Sequence, residues 1–92
     1  MVALDLLGRR WTLRVLWELR DAPLGFRALR ERCDAMSTSV LRRRLVELLD
    51  ARLVEQDDDQ RYRLTKLGVE LRAALEPLLQ WSDRWAAAGR RP

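Results

Sequence analysis

The sequence contains no histidine, and cysteine occurs once, at Cys33. Without an imidazole, the chain lacks the side chain that most often carries protons near pH 7 and gives zinc a nitrogen ligand. A lone cysteine cannot form a disulfide within the chain. Since no nucleophile, base and oxyanion donor can be assembled, we expect no enzymatic activity, no metal and no cofactor.

Long hydrophobic runs are absent as well. No segment is long and apolar enough to span a membrane or to act as a secretion signal. The sequence therefore predicts a cytoplasmic protein. Its 92 residues, 1–92, are enough for one small domain, and a domain of this size buries only about 60 to 70% of its unfolded surface.

Lysine is scarce, occurring once at Lys66, although 18 basic residues against 14 acidic ones give a net charge of +4. Arginine presents a planar fork of donors that suits phosphate groups and guanine edges. An arginine-rich, alanine- and leucine-rich composition can also arise from a GC-rich genome. Composition alone therefore leaves a nucleic-acid partner open.

Hydrophobic residues are abundant, since the chain has four tryptophans and is 48% hydrophobic. A small core cannot easily bury all of these side chains, so we expect some of them to face a partner subunit. Trp11 and Trp17 lie on a leucine-bearing helix, which favours a core or dimer-interface role over a ligand cage.

Apolar residues spaced three and four apart predict helical structure from Val2 to Arg20. Glycine inside a helix costs about 1 kcal/mol relative to alanine, so Gly8 predicts a break and a second helix from Trp11 to Arg20. Pro23 then ends the helical run, and Leu24 can hold a short extended piece.

A helix-turn-helix is predicted over residues 26–51. Phe26, Leu29 and Cys33 share one face of a short helix, on which Cys33 is a small buried hydrophobe rather than a sensor thiol. Ser37 is the natural N-cap of the next helix. The join between the two helices is short, as in helix-turn-helix units.

The second of these helices has an apolar stripe that includes Leu41, Leu45 and Leu48. Hydroxyls and guanidinium groups fall away from that stripe, and both can contact base edges or phosphates in a major groove. The alternative is an ordinary solvated arginine face. The outward residues are Thr38, Ser39, Arg42 and Arg43. Arg44 lies nearer the stripe, which favours a structural role or a phosphate contact.

Residues 53–64 predict a β-hairpin, or wing, because two strand-like runs flank a turn that begins at Asp57. The acidic tip, Asp57 to Asp59, repels phosphate, so a wing contact to DNA would come from Arg61 or Arg63. A metal site at the tip is the less favoured alternative, because adjacent carboxylates on a turn point in different directions.

A final helix is predicted over residues 65–88, with Thr65 as its cap and an apolar stripe that continues to Trp85. Pro77 should bend or divide this helix, because proline removes an internal hydrogen bond and crowds the preceding turn. Trp81 and Trp85 are hard to cover within so small a domain.

The order of these parts resembles the HxlR-type winged helix-turn-helix transcriptional regulators, which are themselves similar to MarR regulators. The resemblance extends from about Ala3 to Trp81. It rests on the order and spacing of five segments: ALDLLGRRWT from Ala3, FRAL from Phe26, Ser37 to Leu45, LVE from Leu53 and LTKLG from Leu64.

This resemblance implies a mainly α fold with a small β-hairpin, a winged helix-turn-helix with flanking dimerisation helices. It also implies a homodimer whose first and last helices pair and place two recognition helices in successive major grooves. The family's base-reading role carries over to Ser37, Thr38, Ser39, Arg42 and Arg43. Many members begin with a segment that bears a sensor cysteine, and no cysteine precedes the first helix here, so we expect no such switch.

Our hypothesis is therefore a sequence-specific regulator that binds a palindromic operator in double-stranded DNA. Phosphate contacts are expected from Arg9, Arg10, Arg27, Arg30, Arg44, Arg61 and Arg63. The expected dimer interface comprises Leu4, Leu7, Trp11, Leu78, Trp81 and Trp85. As the MarR likeness implies, a crevice beside the dimer helices could hold a small apolar effector. The alternative function is a protein-interaction module that docks a partner through its C-terminal helix.

Overall fold

The computed structural model describes residues 2–89, of which Val2 is described by its backbone alone. Five helices and two strands follow one another along the chain. They are α1 (Val2–Leu7), α2 (Thr12–Glu18), α3 (Phe26–Arg32), α4 (Thr38–Asp50), β1 (Val54–Gln56), β2 (Tyr62–Leu64) and α5 (Lys66–Gly89). This order confirms the expected mainly helical fold with one hairpin.

The first helical stretch is interrupted at Gly8, as predicted. α1 ends at Leu7, and α2 begins after Trp11, whose φ of 77° lies in the left-handed region. Bulky residues rarely adopt this conformation, because the Cβ atom crowds the backbone. The chain therefore turns sharply between α1 and α2 instead of continuing as one helix.

The join between α3 and α4 contains two successive left-handed residues, Asp34 at φ 58° and Ala35 at φ 55°. α4 then begins at its predicted cap, since the Ser37 hydroxyl accepts from the backbone N–H of Val40 at 3.4 Å. This cap satisfies one of the unpaired donors of the first turn. The predicted helix-turn-helix is thereby confirmed.

The core lies between α2, α3 and α4 and is closed by the hairpin. Its buried side chains are Val15, Leu16, Leu19, Leu29, Cys33, Met36, Leu41, Leu45, Leu48 and Val54. Cys33 has no exposed surface, and its burial raises the pKa of the thiol. The prediction of a small buried hydrophobe at Cys33 is therefore confirmed.

The two strands of the wing pair antiparallel, with Val54 opposite Leu64 and Glu55 opposite Arg63. A single residue before α3 extends this sheet. The Leu24 N–H donates to the Tyr62 carbonyl at 2.9 Å, and the Tyr62 N–H donates back to the Leu24 carbonyl at 2.7 Å. The extended piece predicted at Leu24 thus ties the segment before α3 to the wing.

α5 begins at the predicted Thr65 cap, whose hydroxyl accepts from the Gly68 N–H at 3.1 Å and donates to the Arg52 carbonyl at 2.6 Å. Of the bend or division expected at Pro77, the division does not occur, because α5 runs unbroken from Lys66 to Gly89. Both Pro77 and Ala73, whose carbonyl loses its helical donor, lie on the solvent side. Water can therefore satisfy that carbonyl.

The C-terminal half of α5 leaves large apolar side chains uncovered. Leu78 is 50% exposed, Trp81 51% and Trp85 65%. The two indole rings stack with their centroids 5.9 Å apart. This exposure agrees with the expectation that Trp81 and Trp85 are hard to cover within so small a domain.

No helix within residues 2–89 combines the length and the hydropathy that crossing a bilayer requires.

Gly68 is where α5 crosses the start of the wing, and this close packing generates a prediction. A Cβ at Gly68 would overlap the carbonyl of Leu53, an atom that already accepts from the Thr65 N–H at 3.1 Å. We expect Gly68→Ala to destabilise the protein by about 1 to 3 kcal/mol, since backbone must move to admit the methyl. Urea denaturation at fixed protein concentration measures the change.

Gly89→Ala is the matched control, because Gly89 also belongs to α5 and a Cβ there meets no atom within 4 Å. Its cost should stay below about 0.5 kcal/mol. Equal unfolding midpoints for the two variants would contradict the packing described at Gly68.

Candidate nucleic-acid interface

The helical period divides α4 into two faces. Leu41, Leu45 and Leu48 are buried against the core, whereas the opposite side carries exposed Ser39, Arg42 and Arg43. Because side chains three, four and seven residues apart lie on one face, burying the leucines forces this second set outward. The structure thus brings together the side chains predicted to read bases.

The first turn of α4 supplies small hydroxyl side chains. Ser37, Thr38 and Ser39 are all exposed, and the hydroxyl oxygens of Ser37 and Ser39 lie 3.0 Å apart. Ser37 also serves as the helix cap, so part of its hydrogen-bonding capacity is used within the protein. Thr38 and Ser39 leave more capacity for a ligand.

The two outward arginines of α4 differ in how they are held. The Arg42 guanidinium lies over the Phe26 ring, 4.9 Å from its centroid, a cation–π contact that restrains the long side chain. Arg43 is exposed. Within residues 2–89, neither guanidinium forms a salt bridge or a hydrogen bond. Both forks are thus available to a ligand.

Of the two roles expected for Arg44, its burial favours the structural role over a phosphate contact. The residue is 8% exposed and faces the core with the leucines. Its Nε lies 3.1 Å from Oε1 of Glu47, and Oε2 of Glu47 lies 3.2 Å from Nη1 of Arg9. Glu47 thus links the loop before α2 to α4, and Arg9 keeps half of its surface exposed.

Two arginines stabilise the turn that sets the angle of α4. Nε of Arg30, a predicted phosphate contact, donates to the Met36 carbonyl at 2.7 Å. Arg14 donates to the Arg32 carbonyl at 2.7 Å and to the Asp34 carboxylate at 3.2 Å. Its pKa is raised, chiefly by the hydrogen bond to Glu18. Sequence reasoning missed Arg14, although its i,i+4 spacing from Glu18 was a visible signal.

The wing arginines are already paired. Arg61 lies 3.2 Å from the carboxylates of both Asp57 and Asp59. Arg63 lies 2.8 Å from Glu55, its neighbour across the strands. A phosphate would have to displace these carboxylates, so the wing offers it little free positive charge.

The remaining predicted phosphate contacts are Arg10 and Arg27. Arg27 is exposed on α3, and no salt bridge or hydrogen bond engages it within the described residues. The Arg10 guanidinium lies 6.0 Å from the centroid of the Trp11 ring. Arg27 thus joins Arg42 and Arg43 as a cation without an acidic partner.

The predicted dimer residues fall into two groups. Leu7 and Trp11 pack partly against the core of their own chain. The others, Leu4, Leu78, Trp81 and Trp85, are at least half exposed. Only the second group presents a surface free for a partner.

An apolar cleft separates α2 from α5. It is lined by Leu13, Leu16, Trp17, Arg72, Leu75, Leu78 and Leu79. This lining fits the crevice expected for a small apolar effector, which stays a prediction.

Two helices joined by a tight turn, followed by a paired hairpin and a long final helix, define a winged helix-turn-helix, a fold used by transcriptional regulators. The family model for the HxlR-like helix-turn-helix matches residues 6–90. The chain belongs to this family of transcriptional regulators, as the sequence resemblance predicted.

Two relatives illustrate the likeness in sequence. An HTH-type transcriptional regulator of Methanocaldococcus jannaschii, MJ0925, is 31% identical over 89% of this chain and 80% of its own length. The HTH-type transcriptional regulator YodB of Bacillus subtilis is 30% identical over 95% of this chain and 83% of its own. Both are named as regulators rather than enzymes.

Solved structures show the same fold. Quinone-bound YodB superposes with a TM-score of 0.82 at 32% identity, covering 90% of this chain and 92% of YodB. An HxlR family factor from Thermoplasma volcanium gives 0.83 at 32% identity, covering 91% of this chain and 81% of its own. A MarR family regulator from Enterococcus faecalis gives 0.83 at 27% identity over 99% and 88%.

The carboxylate of Asp57 organises the wing tip and generates a pH prediction. It accepts from the backbone N–H groups of Arg61 at 3.0 Å and Asp59 at 2.9 Å, and these bonds, with the Arg61 charge, lower its pKa. A lowered folded-state pKa adds stability above the unfolded value, about 3.9, that is lost as pH falls through the folded value. We expect Asp57→Asn to destabilise the protein at pH 7, with the deficit shrinking below about pH 4.

Thermal unfolding of both proteins from pH 7 to pH 2 measures this deficit. Asp58→Asn is the matched control, because Asp58 is exposed and forms no salt bridge within the described residues. A deficit for Asp57→Asn that stays constant across this range would contradict the role assigned to the carboxylate.

Proposed function

We propose that the protein binds double-stranded DNA sequence-specifically as a homodimer and regulates transcription by occupying a palindromic operator. The observation that carries the proposal is the outward face of α4. There, Arg42 and Arg43 have no acidic partner within residues 2–89, whereas Arg9, Arg14, Arg61 and Arg63 all form salt bridges.

The chemistry of this face suits the major groove. An arginine fork can pair with O6 and N7 of guanine, and the small hydroxyls of Thr38 and Ser39 can serve bases or phosphates while allowing close approach. Arg42 is restrained over Phe26 before any ligand arrives, so less side-chain freedom is lost on binding. Arg27 and Arg10 supply phosphate contacts that set the register.

Dimerisation through α1 and α5 is supported by the exposed apolar residues Leu4, Leu78, Trp81 and Trp85. A two-fold dimer presents two copies of α4. Its half-sites are then separated by about 10 base pairs, or a multiple of that distance.

Substitution of Arg43 tests the base-reading role. We expect Arg43→Ala to weaken binding to a duplex selected from a random library by about 1 to 3 kcal/mol, and to bring it closer to binding of random duplex. Arg43→Lys keeps the charge but loses the fork. It should therefore keep the salt dependence of the parent while losing discrimination. Fluorescence anisotropy over a range of salt concentrations measures both.

Arg84→Ala serves as a control, because it removes the same charge from an exposed position on α5. This variant should discriminate the selected duplex from random duplex as well as the parent does. Undiminished discrimination by Arg43→Ala would contradict the assignment.

The tryptophan stack tests the dimer. We expect the parent to sediment at twice the monomer mass, and a Trp81→Ala, Trp85→Ala double variant to have its dimer dissociation constant raised at least about tenfold, since large aromatics dominate interface energies. Leu67→Ala, which truncates a side chain 54% exposed at the other end of α5, should leave dimerisation unchanged. A parent that sediments as a monomer at all concentrations used for DNA binding would refute the homodimer.

The same exposed tryptophans support a second candidate function, a module that docks an unrelated protein through α5. The salt dependence of duplex binding distinguishes the two functions. Binding that neutralises several phosphates weakens steeply as salt rises, whereas a docking module shows no duplex binding near 0.1 M salt.

A further inference from the structure

One apolar side chain of α4 lies outside the core. Val46 is 55% exposed, whereas Leu41, Leu45 and Leu48 on the same helix are buried. It lies three residues after Arg43 and seven after Ser39, so it belongs to the outward face that carries the candidate base-reading residues.

The fold itself does not explain this valine. Its branched side chain loses rotamer freedom in a helix. At an exposed position, little apolar surface is buried to offset that loss. Val46 is also absent from the lining of the cleft between α2 and α5. On the same face of α4, Arg42 and Arg43 lie one turn before Val46, and Asp50 lies one turn after it.

We propose that Val46 reads a thymine by contact with its 5-methyl group in the major groove. The inference rests on the proposed DNA-binding function. The thymine methyl is the apolar group that base pairs present in that groove, and apolar side chains recognise it by contact. Hydroxyls and guanidinium groups recognise donors and acceptors instead, so Val46 adds a kind of discrimination that Ser39, Arg42 and Arg43 lack.

The position of Val46 along the helix assigns the contact to one end of the footprint. The helical rise puts it about 4.5 Å beyond Arg43, roughly one base-pair step. Asp50, one turn further on, is an exposed carboxylate that repels phosphate. The thymine should therefore lie beside the base pair that Arg43 reads, once in each half-site.

The test removes the methyl group from the DNA and the side chain from the protein. The probe is the duplex that the parent selects from a random library, together with copies in which single thymines are replaced by deoxyuridine, which lacks the methyl. At one position in each half-site, deoxyuridine should weaken binding of the parent by about fourfold, the value of one buried methylene. Val46→Ala should bind the thymine and deoxyuridine duplexes equally at that position.

Val69→Ala is the matched control, because Val69 is a valine of similar exposure, 50%, on α5. It should respond to deoxyuridine as the parent does. Circular dichroism should show that Val46→Ala is folded, as alanine favours the helix.

Two results would overturn the inference while leaving the proposed function intact. In the first, no deoxyuridine replacement changes the affinity of the parent. In the second, each replacement weakens DNA binding by Val46→Ala as much as it weakens binding by the parent. If the parent selects no duplex at all, the proposed function falls, and the thymine contact falls with it.

Discussion

The burial of one face of α4 is the constraint on which the rest of the structure depends. Leu41, Leu45 and Leu48, none more than 2% exposed, close the core formed with α2 and α3. With 3.6 residues per turn, this burial leaves Ser39, Arg42 and Arg43 on the opposite side. The packing that stabilises the domain therefore also presents the candidate interface to solvent.

The second organising factor is the pairing of charge rather than its total. The net charge is +4, but the wing and the loops around α4 use their own carboxylates to neutralise their arginines. Within residues 2–89, Arg27 on α3 and Arg42 and Arg43 on the outward face of α4 are among the arginines that form no salt bridge. Unpaired guanidinium groups that share one helix face favour an anionic ligand at that face.

Features that depend on near neighbours in the chain were predictable. The break at Gly8 and the caps at Ser37 and Thr65 involve contacts within a few residues. Long-range partners were not, because nothing local requires Arg14 to meet Asp34, 20 residues away, or Leu24 to pair with Tyr62. Pro77 does not divide α5, because a solvent-facing proline leaves its carbonyl partner to water. Which side of α5 faces solvent depends on packing.

The order of the helices and the wing, the two faces of α4 and the family could be predicted from the sequence alone, because periodicity, capping and motif spacing are properties of local sequence. Which arginines form no salt bridge depends instead on tertiary packing. It paired Glu47 with both Arg9 and Arg44, held Arg42 over Phe26 and left Val46 uncovered. These contacts depend on which side chains the fold brings within a few ångströms of one another. The pattern of charge or hydropathy along the chain does not specify those distances.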